Sequence, residues 1–192
     1  MSGTYPASPE ASSIKISSLK FNLMSESLSG RRQVRGIGGQ RWALTASYNP
    51  MTRADFMPVF AFVVAQNGQF ETFTFVPPIV GSTAGTGTGT VTTNTSVAIG
   101  ATTVSLTGLT GSLKAGDYVK FANHTKIYML VADRVGAGTV AIQPPLVAAV
   151  ASGQGVTYNN VPFTVRLNND LQQYSLSGFE LYTYEVDLVE AL

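Results

Sequence analysis

Few residues in this chain of 192 have types and spacings suited to chemistry. His124 is the only histidine and there is no cysteine, which excludes a Cys/His metal centre, a thiolate nucleophile and a disulfide framework. Its setting, Asn123-His124-Thr125-Lys126, is a hairpin-turn sequence, and His124 is read as an exposed turn residue. A Ser-His-Asp set can be composed only on paper, because no serine stands in a nucleophile-elbow sequence. Glu180, Glu185, Asp187 and Glu190 invite comparison with the carboxylate pair of a glycosidase. Alternation puts Glu185 and Asp187 on one strand face without an identified cleft, so polar strand faces account for them better.

Gly36-Ile37-Gly38-Gly39 has the glycine content of a phosphate-cradling loop, but it lacks the dinucleotide spacing and a following helix. Residues 111–116 have a phosphate loop's glycine spacing, with Asp117 and Tyr118 where lysine and a hydroxyl residue are required. Both are read as turns. No catalytic residue, metal ligand or cofactor site emerges, and the chain is expected not to be an enzyme. Arg31, Arg32 and Arg35 form the one basic cluster. Without interleaved aromatics it is a weak nucleic-acid signal, which leaves a subunit contact or a solvated loop.

Composition narrows the class. Charged residues are 12% of the chain against a usual quarter, while glycine, serine and threonine are abundant. That favours an all-β protein with many turns, and a surface partly covered by neighbours. The formal net charge is +1, so no global field draws the chain to nucleic acid or an acidic membrane. Up to Arg53 the basic residues outnumber Glu10 and Glu26; after Arg166 every charge is acidic. The two ends are suited to pairing within a sheet or across a subunit boundary. No run approaches the ~20 apolar residues of a membrane helix, and the N-terminus lacks a signal-peptide pattern. The chain is expected to be soluble and made in the cytoplasm.

The elements that must position these residues begin with residues 41–48, where Trp42, Leu44, Ala46 and Tyr48 alternate with polar neighbours as in a half-buried strand. Asn49-Pro50 breaks it. Thr52 and Asp55 resemble a capping box, with Asp55 as an alternative N-cap that would put Pro58 at the third helical position. Phe56, Phe60, Val63 and Val64 form an apolar stripe, Gly68 ends the helix, and residues 71–76 form a strand up to Pro77-Pro78.

Before this unit, residues 1–13 read as an arm or an ordered-on-assembly tail. Ile14 and Ile16, then Leu19, Phe21 and Leu23, give two alternating runs, with Ser17-Ser18 as a bulge between them. Residues 24–39 read as a long polar connection, functional or flexible. Residues 81–90, rich in glycine and threonine, read as a linker. Short strands at regular spacing follow and suggest a small closed or nearly closed β-barrel. Alternation returns at Phe163, Val165 and Leu167 and in a run from Leu176 through Phe179 to Leu188, as the first region's missing partners. The expected organisation is one discontinuous β-domain, residues 1–80 and 161–192, with residues 81–160 inserted as a small barrel.

Three runs in this order resemble tail and baseplate proteins of tailed bacteriophages: residues 39–44 (GQRWAL), 48–55 (YNPMTRAD) and 68–73 (GQFETF). Residues 113–121, 126–128, 142–146 and 184–190 are similar too, so the resemblance covers about residues 39–190. Each motif is only a strand or a turn; their order carries the resemblance. It implies a mainly β fold, a tail-tube-like split β-barrel or sandwich with one short helix plus the inserted barrel. It also implies a virion structural protein at the distal end of the tail, made in the host cytoplasm, in a homohexameric ring joining tail tube to distal hub. The implied partners are copies of itself and other tail or baseplate proteins, with DNA passing through the lumen without specific binding and no membrane partner. Residues 24–39 would reach the ring neighbour, giving Arg31, Arg32 and Arg35 a role.

A binding module is the competing expectation. The inserted barrel would recognise a fibre or a host-surface glycan, with Tyr118, Tyr128 and Tyr158 as exposed aromatic platforms.

Overall fold

In the computed structural model, which describes residues 3–178 and 180–192, the chain folds almost entirely as strands. The first part comprises β1 (Ser13–Glu26), β2 (Arg32–Ser47), α1 (Arg53–Ala65) and β3 (Phe73–Phe75). Eight short strands follow: β4 (Thr92–Thr93), β5 (Thr103–Thr107), β6 (Ser112–Leu113), β7 (Tyr118–Phe121), β8 (Ile127–Leu130), β9 (Arg134–Val135), β10 (Gly138–Gln143) and β11 (Val156–Thr157). The chain ends with β12 (Phe163–Leu167), β13 (Tyr174–Leu176) and β14 (Tyr182–Glu190). Phe179, in the expected run, lies outside the described residues.

The first sheet has the order β1-β2-β14-β12-β3, with β13 also paired to β14. The chain's two ends thus share one antiparallel sheet. Trp42, Leu44 and Ala46 of β2 and Tyr184, Val186 and Leu188 of β14 are buried on one face, as period-two alternation requires. α1 covers that face with Phe56, Val59 and Val63. Each such side chain contributes about 1.5–3 kcal/mol by leaving water.

Several local expectations change. Thr52 is the N-cap of α1, so Pro58 sits in the helix interior rather than at its third position, and Val64 is exposed. Thr52 Oγ1 donates to Asp55 Oδ2 at 2.7 Å. The N-terminal segment is not a free arm: Tyr5 N donates to Thr74 O, and Thr74 N to Gly3 O. The Tyr5 ring is buried among Phe62, Phe73 and Phe75, where its hydroxyl accepts from Tyr48 at 3.0 Å. An aromatic residue next to the Thr4–Thr74 bridge anchors a polar, proline-bearing segment.

β4, β5, β10, β8, β7 and β11 form the second sheet in that spatial order. Its end strands meet through a Thr92–Gly155 bridge and through Val156 N donating to Val91 O, which makes it nearly a closed barrel. Phe121, Tyr128, Leu130 and Ile142 fill the interior.

Residues 81–90 are not a flexible linker. They lie along the barrel, where Asp117 is buried. Asp117 Oδ1 accepts from Ala84 N at 2.9 Å, and its Oδ2 accepts from Lys114 N at 2.8 Å and from Thr83 Oγ1. Thr88 and Thr110 bridge further on. Glycine is needed for contact as well as for freedom: a Cβ on Gly85 would stand 2.1 Å from Ser112 O. No apolar periodicity is required when a backbone is held by a buried carboxylate, so composition alone misread it.

Candidate assembly interface

Among the described residues, none packs as a layer on the outer half of the β1–β2 hairpin. Inside the sheet, Ile14, Ile16 and Ser18 pair with Ala46, Leu44 and Trp42 in regular register, so Ser17-Ser18 forms no bulge. Beyond Leu19 the register shifts twice, from Leu19↔Arg41 to Phe21↔Gly38 and then to Asn22↔Gly36. Both extra residues lie in β2, where Gly38 and Gly39 have φ of 86° and 76°. The glycine run is therefore a pair of bulges in a strand rather than a turn, and it bends the hairpin where it leaves the sheet.

Apart from the tight turn at residues 27–31, residues 24–39 are accordingly strand and not a long polar loop. β1 holds its phase, which places Leu19, Phe21 and Leu23 on the face opposite Ile14 and Ile16. All three are exposed, as are Met24, Leu28, Val34 and Ile37. Leu28, at the tip, is fully bare. About eight residues per strand stand clear of the sheet, an arm of roughly 26 Å at ~3.3 Å per residue.

The predicted basic cluster falls on this arm. Arg31 is in the turn, where its carbonyl accepts from Ser27 N at 3.0 Å. Arg32 faces Glu26 across the hairpin, Nη2 to Oε2 at 3.3 Å, with both side chains more than half exposed. Arg35 pairs in register with Leu23. Among the described residues no carboxylate pairs with Arg31 or Arg35.

What holds the arm's root is a buried ion pair that the sequence reading missed. Lys126 and Glu190 are both fully buried. The Lys126 ammonium donates to Gln40 O and Gln40 Oε1, each at 2.7 Å, and to Glu190 Oε2 at 2.5 Å. Glu190 also accepts Trp42 N at 3.1 Å and Ile127 N at 2.8 Å. The β2–β14 ladder ends at Ala43↔Val189, and the Glu190 carboxylate takes the next strand amide. Burial pulls the Lys126 ammonium below its ordinary value, while the Glu190 charge and hydrogen bond pull it back up. The Trp42 indole completes the junction by donating to Ile127 O at 2.9 Å and meeting Tyr118 edge-on. The barrel, the end of β14 and the root of the arm are thus one polar, dehydrated joint.

The signal for this joint was phase. Gln40 shares parity with Trp42 and Leu44, Glu190 with Val186 and Leu188, and Lys126 with Tyr128 and Leu130. Each is a polar residue on an apolar register, which burial tolerates only with partners.

At the opposite end of β2 lies a polar groove of about 440 Å³. The chain leaves β12 at Asn168, loops out, and returns as β13, so residues 169–175 wall a gap beside β14. Glu185 and Asp187 line it, each accepting one hydroxyl, from Ser47 at 2.7 Å and Thr45 at 2.6 Å. Among the described residues, no lysine or arginine lines the groove. Leu171 and Tyr174, exposed by 68% and 42%, stand on its rim. Glu180 is exposed, in a left-handed conformation at φ 58°.

His124 is half-buried rather than an exposed turn residue. Val147 N donates to the Tyr128 hydroxyl at 3.1 Å, which burial pushes up to about 12. That proton goes to His124 Nε2 at 2.8 Å, and Nδ1–H donates to Asn123 Oδ1 at 2.8 Å. Burial, then Lys120, lowers the imidazole below its ordinary value, which suits the neutral ring. Tyr118, Tyr128 and Tyr158 are buried and offer no aromatic platform. Among the described residues no group of His, Asp and Glu is placed to hold a metal, and no helix is long and apolar enough to cross a membrane.

Neither a scan against protein-family models nor a search of curated proteins finds a match for this chain.

Proposed function

We propose that this chain is a structural subunit of a bacteriophage tail or baseplate, forming a ring that connects the tail tube to distal hub components, without catalysis. The observation that supports this reading best is the arm. A two-stranded ribbon with two free edges, seven large apolar side chains and three arginines in water is a poor resting state for a lone protein. An isolated hairpin of this kind is marginal, and free edges invite pairing with another chain. Both become assets in a ring, where each copy completes its neighbour. The order of the motifs around Trp42, Thr52 and Phe73 supports the same class by resemblance.

In this reading residues 1–80 and 161–192 are the tail-tube-like domain, a ring of six surrounds a lumen that DNA traverses without specific binding, and residues 81–160 project as the inserted barrel toward other baseplate proteins. The competing binding-module reading has lost its aromatic platforms, and no observation favours it. The test is to locate the chain in purified particles, by mass spectrometry of the virion and gold-labelled antibody on the tail. Labelling at the distal tail supports the reading, and absence from particles refutes it. Light scattering on the isolated protein at several concentrations checks the ring, with a discrete mass near six subunits expected.

A further inference from the structure

The arm and the acidic groove lie at opposite ends of one strand. β2 runs from Arg32, at the arm's tip, to Ser47, which lines the groove and donates to Glu185. Its length is about 50 Å at ~3.3 Å per residue, and the bulges and the Lys126–Glu190 joint lie between the two sites. The arm therefore points away from the groove of its own chain. The two sites are complementary in two ways. The arm tip carries Arg31, Arg32 and Arg35 against the single acid Glu26, whereas the groove holds Glu185 and Asp187 with no base. Exposed Leu23 and Met24 on the arm match exposed Leu171 and Tyr174 at the groove's rim.

We infer that the arm of one copy docks in the Glu185–Asp187 groove of the next copy. The contact is heterologous, since donor and acceptor are different surfaces, so it repeats head to tail and closes into a ring or grows as a filament. This rests on the reading of the chain as a self-assembling subunit, and names the two surfaces that would join. The groove's polar lining and its two singly bonded carboxylates suit arginine forks, which bind carboxylates in two-toothed geometry that lysine does not reproduce. The apolar rim is what makes such a rim-charge contact hold, because exposed charges alone steer association more than they hold it.

The test uses charge reversal and cross-linking in the full chain. One variant combines Arg31→Glu, Arg32→Glu and Arg35→Glu; a second combines Glu185→Lys and Asp187→Lys; a third carries all five. The expected result is that each partial variant weakens self-association about tenfold or more by light scattering, and the five-fold variant restores it. The chain has no cysteine, so Arg31→Cys with Gln173→Cys gives an independent readout: oxidation should produce a ladder of intermolecular disulfides. A ladder without a closed ring would keep the inference and count against the six-membered ring. A discrete oligomer that survives both charge variants and yields no ladder would overturn the inference and leave the ring standing. A monomer at every concentration with no cross-link would overturn it as well. Unchanged thermal unfolding of each variant guards against a folding defect, since all five charged positions are exposed or lie at the open groove.

Discussion

The two halves of β2 differ in what closes them. Residues 43–47 are paired on both edges, by β1 and β14, and the inner half of the strand is covered by α1 and the barrel; Trp42, Leu44 and Ala46 are buried. Residues 32–39 are paired only by β1 and are exposed on both faces. The same strand is thus part of a core at one end and a bare ribbon at the other. Apolar content does not separate them, since the bare end has Val34 and Ile37 and faces Phe21 and Leu23. What separates them is whether a third strand and a covering layer are supplied by the same chain. The boundary between the halves is a polar joint, Lys126–Glu190–Gln40, and the bulges that follow it.

The largest expected effect is at that joint. Lys126→Met leaves the Glu190 carboxylate dehydrated and without its cation, and loss of one partner of a buried pair costs about 3–5 kcal/mol. Urea denaturation should show the drop. Combining Lys126→Met with Glu190→Gln should recover only part of it. The uncompensated charge is gone, but the Trp42 and Ile127 amides donate to different Glu190 oxygens, and a glutamine offers one carbonyl oxygen, so one amide loses its acceptor. If the single variant is as stable as the parent, the joint does not set the boundary between the two halves.

Next in size is Gly85→Ala. A Cβ there meets Ser112 O at 2.1 Å, and such overpacking costs about 1–3 kcal/mol. A segment that merely linked two parts would accept alanine without loss. An unchanged melting temperature would return residues 81–90 to the flexible class, alongside the arm.

These two sites also mark where sequence reasoning stopped. Strands announced by apolar alternation were legible, such as residues 41–48 and 182–188, because a half-buried face imposes period two whatever it packs against. The nearly closed barrel was legible from the spacing of short strands and turns. The Asp117 clamp, the Lys126–Glu190 pair and the Tyr5 anchor were not, because each depends on a partner far away in the chain. Phase alone offered a hint for Gln40, Lys126 and Glu190. The arm was misjudged for the opposite reason: its polar and glycine residues broke the period, although cross-strand pairing held the ribbon together regardless. Arg31, Arg32 and Arg35 were legible as a cluster, but their place on a projecting ribbon was not.

A pH effect should follow from His124 inside the barrel. The folded imidazole is held below its ordinary value of 6.5 by burial and by Lys120. The unfolded chain therefore binds more protons than the folded one once pH falls below about 6.5, and stability falls with it. Above that value the full stability is present. Melting temperature measured from pH 7.5 to pH 5 should decline, and His124→Gln should flatten the decline. Most carboxylates titrate lower, so the window isolates this ring. A decline of equal slope in the variant would place the sensitivity elsewhere.

The smallest expected effect on folding is on the arm itself, and it is the most informative about the contrast. Phe21→Ser with Leu23→Ser removes two large apolar side chains that touch water in the single chain. Neither fills a core, so the change in unfolding free energy should stay within about 0.5 kcal/mol per site, as for surface positions generally. Equivalent substitutions at Leu44 and Val186, in the sheet those strands continue, should each cost several times more through lost transfer and an unfilled cavity. Hydrogen exchange refines the same comparison: amides of residues 32–38 should exchange through local opening, and those of residues 43–47 only near the global limit. If the arm's amides were protected in dilute monomer, the ribbon would be stabilised by something within the chain and its exposed side chains would need no neighbour. If they are labile in monomer and become protected as concentration rises, the second layer that β2 lacks is supplied by another copy.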